Sequence, residues 1–209
     1  RRHTRYISVT GVQTCALPIF YKGDGAFLSG PGQALTSPAF ALDGGEEPEI
    51  AGLYVIGPNG QPFRLGFALA NEFSDHVTEA QNYLYLAHSK LRACSIGPEL
   101  LMGDLPEHVE GEVRVIRNGA PLWRGEFLSG EGNMSHSVRN LEHYHFRYDM
   151  FRRPGDLHAY FFGAAILSCA NGVKTQSGDV FEIDVPQFGR VLRNPMRVQS
   201  EKPFIMRQL

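Results

Sequence analysis

The sequence predicts a mainly β domain with a few helices, an α+β fold, and three observations carry that expectation. Short apolar stretches alternate with turn signals along most of the chain. The 23 glycines are frequent and the 13 prolines are scattered through the chain, as short strands joined by many turns require. Convincing helical periodicity is confined to residues 135–151, where Val138, Leu141, His145 and Tyr148 recur about once per turn. At 209 residues, with 43% hydrophobic and 11% aromatic content, the chain can bury a core as one domain.

Residues 1–19 do not read like the rest, having no acidic residue and no clear periodicity. They lack the continuous apolar run and small-residue cleavage site of a leader. The run Val9-Thr10-Gly11-Val12-Gln13-Thr14-Cys15-Ala16-Leu17-Pro18-Ile19 resembles the in-frame translation of a common short-read sequencing adapter. A non-native segment is therefore expected over 1–19, with residues 20–209 forming a domain that lacks its natural N-terminal part. A natural, poorly ordered extension is the alternative.

Residues 46–72 are the most informative. An aliphatic stretch from Glu49 to Ile56, the turn signal Gly57-Pro58-Asn59-Gly60, and a second apolar stretch from Phe63 to Ala70 predict a β-hairpin. With Asn59 and Gly60 central in the turn, Glu47 falls opposite Glu72 and Glu49 opposite Ala70. Side chains alternate across a strand, so Glu47, Glu49 and Glu72 share a small-sided face with Ala51, Ala68 and Ala70. Ile50, Tyr54, Ile56, Phe63, Leu65, Phe67 and Leu69 make the opposite, core face. Like charges opposed across strands repel. A hard divalent cation, Mg2+, Mn2+ or Ca2+, would resolve the repulsion; a solvated acidic strand end would tolerate it.

Further strands are expected over 109–117 and 122–128 around Asn118-Gly119, then over 157–168, 180–185 and 190–197. In the helix, Asn133, His136, Asn140 and His143 line a polar face. No acid joins them at ligand spacing, so hydrogen-bonded histidines fit better than a second metal site, and Asn133 reads as the helix cap. The formal charge is −2 without a basic stripe, which argues against a nucleic-acid partner. No apolar run reaches the length of a membrane span. Cys15, Cys94 and Cys169 lack paired or metal-type spacing, which favours a reducing, cytoplasmic setting.

These residues resemble the fumarylacetoacetate hydrolase family. Its metal motif is an acid-x-acid pair on a strand and a third acid after a hairpin, here Glu47-Pro48-Glu49 and Gly66-Phe67-Ala68-Leu69-Ala70-Asn71-Glu72. The likeness runs through Phe20-Tyr21-Lys22-Gly23, Leu86-Ala87-His88-Ser89-Lys90, Cys94-Ser95-Ile96-Gly97-Pro98, Arg153-Pro154-Gly155-Asp156, Phe162-Gly163 and Ser177-Gly178-Asp179-Val180. Ala41-Leu42-Asp43-Gly44-Gly45-Glu46-Glu47-Pro48-Glu49, Asn82-Tyr83-Leu84-Tyr85-Leu86 and Arg193-Asn194-Pro195 look closer to one branch. That branch holds the GguC-like sugar-acid proteins grouped with 2-keto-3-deoxy-L-arabinonate dehydratases.

The resemblance implies a mixed β-roll, a homodimer, and a metal held by Glu47, Glu49 and Glu72. It implies a small 2-keto (sugar) acid substrate, processed through an enolate by dehydration or by hydrolysis of a carbon–carbon bond. Lys90 would be the active-site lysine and His76 a candidate for acid–base work, while Lys22, Asn133, Gly163 and Ala164 are candidate substrate contacts. Four departures limit the transfer: Glu72 replaces the usual Asp, His76 an arginine, Ala164 a threonine and Cys94 a threonine. A non-catalytic sugar-acid binding protein that keeps the metal site would tolerate the Asp-to-Glu and Thr-to-Ala changes. The family's acid–base His–Glu pair precedes the metal strand and has no counterpart after Phe20, so it is expected in the missing segment.

Overall fold

The computed structural model describes residues 19–209, so the expectation for 1–18 lies outside them. Ten strands alternate with short helices: β1 (Leu28–Ser29), β2 (Leu35–Ser37), β3 (Pro48–Ile56), β4 (Pro62–Asn71), α1 (His76–Gln81), α2 (Leu86–Ser89), β5 (Cys94–Ile96), β6 (Val109–Arg117), β7 (Ala120–Ser129), α3 (Val138–Phe146), β8 (Leu157–Phe161), β9 (Val180–Asp184) and β10 (Leu192–Val198). They form two five-stranded sheets, β1-β5-β4-β3-β8 and β2-β10-β9-β6-β7. Pairing is antiparallel except for β1 with β5 and β2 with β10. The sheets are thus mixed and mainly antiparallel, as expected.

The β3–β4 hairpin has the register that the acids need, by a different route. Gly57 N donates to Gln61 O and Gly60 N to Gly57 O, so Pro58 and Asn59 are the central turn residues and Gly60 follows at φ +73°. That turn shifts the tip by one residue: Val55 pairs with Phe63 and Tyr54 with Arg64. A bulge at Leu65 then restores the count, giving Leu53↔Gly66, Glu49↔Ala70 and Pro48↔Asn71. The bulge needs Gly66, whose φ is +151° and whose Cβ would lie 2.4 Å from Leu101 O. The tip is where the expected core face fails, since Phe63 and Leu65 are exposed.

The other differences have local causes. The helix is shorter than 135–151 because Ser137, not Asn133, caps it by accepting from Asn140 N at 3.2 Å. Strand β8 stops at Phe161, where the chain turns through Gly163 at φ +102°. Asn118 and Gly119, both at positive φ, make the tight β6–β7 turn.

The sheets pack face to face. Ile50, Phe67 and Leu69 from the first meet Val109, Val113, Ile183 and Leu192 from the second in one buried cluster, each worth about 1.5–3 kcal/mol of transfer free energy. Leu35, Phe73, Val115, Phe181 and Met196 make a second cluster beyond the acidic end of β4. No helix among the described residues is long and apolar enough to cross a membrane.

Candidate metal centre

The ladder continues past the strand ends into the acids. Glu72 N donates to Glu47 O at 3.1 Å, and Gly45 and Ser74 exchange hydrogen bonds in both directions. Glu47, Glu49 and Glu72 therefore share one face, all buried, each offering a carboxylate oxygen within 4.8 Å of the others.

Each acid is held differently. Glu47 Oε1 accepts from both Lys90 Nζ and His76 Nε2, the latter at 3.1 Å. Glu49 Oε2 accepts from Gly163 N at 2.7 Å, while Glu49 Oε1 is buried without a partner. Glu72 Oε2 lies 3.8 Å from Lys90 Nζ, which also reaches Glu79 Oε2 at 3.3 Å. Protein donors thus take one oxygen of Glu47 and one of Glu49.

The electrostatics follow from burial and neighbours. Burial and the charges of Glu72 and Glu47 push Glu49 well above the usual carboxylate range. Burial and the Glu47 charge raise Glu72 to about 7, against Lys22 and Lys90. Glu47 is buried too, yet the bonds and charges of His76 and Lys90 hold it down at about 2. Burial opposes protonation of His76, but Asp43, Cys169 and Glu47 together push it up to about 12. Lys90 is raised in the same way by Glu47, Glu72 and Glu79.

Oxygen donors of this number and charge suit a hard divalent cation. The partnerless buried oxygen of Glu49 and the raised proton affinities of Glu49 and Glu72 are what carboxylates arranged to share a cation should show. On these grounds the residues fit Mg2+ or Mn2+.

Local sequence places the supporting groups. Asp75 caps α1, accepting from Thr78 N and Oγ1, and it also binds Leu42 N and Arg92 Nη2. That fixes His76, the first residue of α1, beside Glu47. Lys90 closes α2, and Lys22 Nζ donates to Glu72 O, Phe73 O and Lys90 O. Lys22 therefore ties the end of β4 to the Lys90 turn, and its ammonium is occupied by carbonyls rather than turned to a ligand. Gly163 is exposed and half-buried Ala164 follows it, at the Glu49 side of the cluster. Asn133 is exposed and bonds His108 and Ser129 O, none of them in the acid cluster. Cys94 is free and buried, and burial raises its thiol to about 11, which suits a small hydrophobe.

Three acids escaped the sequence reading. Glu46, fully buried, accepts from Ser168 N and Oγ, both at 2.8 Å. Asp43 faces His76, and Glu79 faces Lys90. Only the acid-rich string around Glu46 hinted at them.

The fold is that of a group of 2-keto-acid and muconate enzymes. A structure of 2-keto-3-deoxy-D-arabinonate dehydratase complexed with magnesium and 2,5-dioxopentanoate matches with TM-score 0.69 and 24% identity, over 83% of this chain and 60% of that one. The hexagonal crystal form of 2-keto-3-deoxyarabinonate dehydratase gives 0.68 and 23%, over 83% and 58%. A 5-carboxymethyl-2-hydroxymuconate delta-isomerase from Mycobacterium smegmatis gives 0.57 and 22%, over 83% and 66%. The chain thus spans about three-fifths of the length of the dehydratases it matches. No family model and no curated protein matches it. The particular fold is the fumarylacetoacetate-hydrolase-type mixed β-roll, as the motif resemblance implied.

Proposed function

We propose that the chain is the metal-binding part of a divalent-metal-dependent enzyme acting on a 2-keto sugar acid, most specifically a dehydratase of a 2-keto-3-deoxy sugar acid. The observation that carries this reading is the buried Glu47–Glu49–Glu72 cluster with its partnerless Glu49 oxygen. Its support from likeness is a fold shared with a dehydratase whose structure holds magnesium and a 2-keto acid.

Glu47, Glu49 and Glu72 would hold Mg2+ or Mn2+. When bound, the ion supplies a Lewis acid that favours the enolate of a 2-keto acid. Lys90 stays an ammonium under the field of Glu47, Glu72 and Glu79. It therefore orients Glu47 and keeps a positive charge among the acids, and is not a proton acceptor. The Gly163 amide fixes Glu49, and nothing lies within 4 Å of where a Cβ at Gly163 would sit.

The test is loss of 2-keto-3-deoxypentonates in the presence of a full-length version of the protein, with Mg2+ or Mn2+ added and then chelated. Metal-dependent loss is expected. No loss across the panel would overturn the enzyme reading, and binding of both metal and sugar acid without turnover would identify a sugar-acid binding protein instead.

A further inference from the structure

The string Asp43-Gly44-Gly45-Glu46-Glu47 does more than lead into β3. Asp43 Oδ2 and His76 Nδ1 face each other at 3.5 Å, both buried, an ion-pair contact, and neither atom has a hydrogen-bond partner. Across the same ring, His76 Nε2 lies 3.1 Å from Glu47 Oε1. The ring is confined from above by Gly45, where a Cβ would lie 2.6 Å from Nδ1 and 2.7 Å from Cε1. Gly45 cannot retreat, because its backbone is bridged to Ser74 on both sides. The Gly44 neighbourhood is equally closed: a Cβ there would lie 2.6 Å from Phe73 Cζ and 2.7 Å from Met196 Cε. Both glycines thus have a steric reason, and one of them is the imidazole.

We propose that Asp43 and His76 are positioning residues for the metal centre, a relay that turns one oxygen of Glu47 toward the protein and leaves the other for the cation. The proposal rests on the metal reading given above. Its physical basis is that the partners of a metal-bound carboxylate set its orientation and its affinity. Lys90 alone could hold Glu47 Oε1, but from one direction, on the turn that ends α2. His76 approaches the same oxygen from the start of α1. Two donors from separate elements fix the plane of the carboxylate, where one would leave it free to swing. Asp43 in turn biases the ring by its charge, since it lies 3.5 Å from the nitrogen that Glu47 does not face. The resemblance puts an arginine at position 76, so this arrangement belongs to the histidine found here and not to the general motif.

Mn2+ affinity, read by the loss of the free-ion signal in electron paramagnetic resonance, tests the relay without any assay of turnover. The full chain, Glu49→Ala, His76→Leu, His76→Gln and Asp43→Asn would be titrated, with circular dichroism as the folding control. His76→Leu removes the donor to Glu47 and should weaken Mn2+ binding about 10- to 100-fold. His76→Gln restores a donor at the Nε2 position and should recover most of that loss, which a packing role would not predict. Asp43→Asn should weaken binding in the same direction by a smaller factor, and it decides the matter if His76→Leu does not fold. Wild-type affinity in both His76→Leu and Asp43→Asn would overturn the relay while leaving the metal centre intact. Absence of Mn2+ binding by the unmodified chain would overturn the metal reading, and the relay with it.

Discussion

Glu72→Gln should stabilise the metal-free protein at high pH and remove its stabilisation by metal. In the folded chain, burial and the Glu47 charge raise the Glu72 carboxyl from its ordinary 4.5 to about 7. An acid with a raised folded pKa keeps its proton in the folded state while the unfolded chain has lost it. Between those two values the folded state binds more protons, so its stability falls as pH rises from 4.5 through 7. At 1.36 kcal/mol per tenfold change in proton affinity, the loss amounts to about 3 kcal/mol. Glu72 is 5% exposed, so solvent screening takes little from that figure. Glutamine keeps the shape and cannot ionise, so the variant should gain about 3 kcal/mol over the parent on going from pH 4.5 to 8. For a chain of this size that is a difference in Tm of roughly 6–12 °C. Thermal melts in a chelator across that pH range would show it, because the comparison with the parent cancels the titrating groups that do not feel the Glu72 charge; Glu49, Lys22 and Lys90 do feel it and shift with it. Saturating Mg2+ should raise the parent's Tm and leave the variant's nearly unchanged. A Tm gain independent of pH, or equal stabilisation of both proteins by Mg2+, would refute the reasoning.

Two further outcomes follow from the same charges and contacts. Cation binding requires ionised carboxylates, so calorimetry at pH 6 in buffers of different ionisation enthalpy should record proton release, with the share from Glu72, whose carboxyl is raised to about 7, falling away as pH rises past that value; no release at pH 6 would count against the raised proton affinity of Glu72. Ser168→Ala removes the hydroxyl that Glu46 accepts from at 2.8 Å in a fully buried setting, and urea denaturation should show a loss of about 1–3 kcal/mol; an unchanged midpoint would mean that the bond contributes nothing net.

The acid cluster was legible because strand alternation is a strict rule and because two irregularities cancelled. The expected turn at Asn59-Gly60 was displaced by one residue, and the bulge at Leu65 moved the register back before Glu49. Neither has a signal strong enough to read: Gly66 marks the bulge only once Leu101 is known to press against it. Between turn and bulge the reading was wrong, and Phe63 and Leu65 are exposed for that reason. The partners of the acids were harder still. Glu46 meets Ser168 across 122 positions and Glu49 meets Gly163 across 114, contacts that local periodicity cannot carry. His76 and Lys90 entered through their resemblance to a motif. What a motif cannot state is that Lys22 spends its ammonium on three carbonyls, or that Asn133 bonds His108 instead of capping the helix.

The charge count ties the site together. Leaving aside Glu46, which burial keeps above the usual carboxylate range and Ser168 satisfies, Asp43, Glu47, Glu49, Glu72 and Glu79 face Lys22, His76 and Lys90 in one largely buried cluster. Fully ionised, these groups leave two negative charges without an opposite, in a setting where uncompensated charge is costly. Two carboxyls, Glu49 and Glu72, have raised proton affinity, so two protons can close the deficit. One divalent cation closes it equally, and it does so without giving up the acceptor oxygens that a ligand site needs. The same count explains why Lys90 acts as a fixed positive charge: removing its proton would reopen the deficit by one.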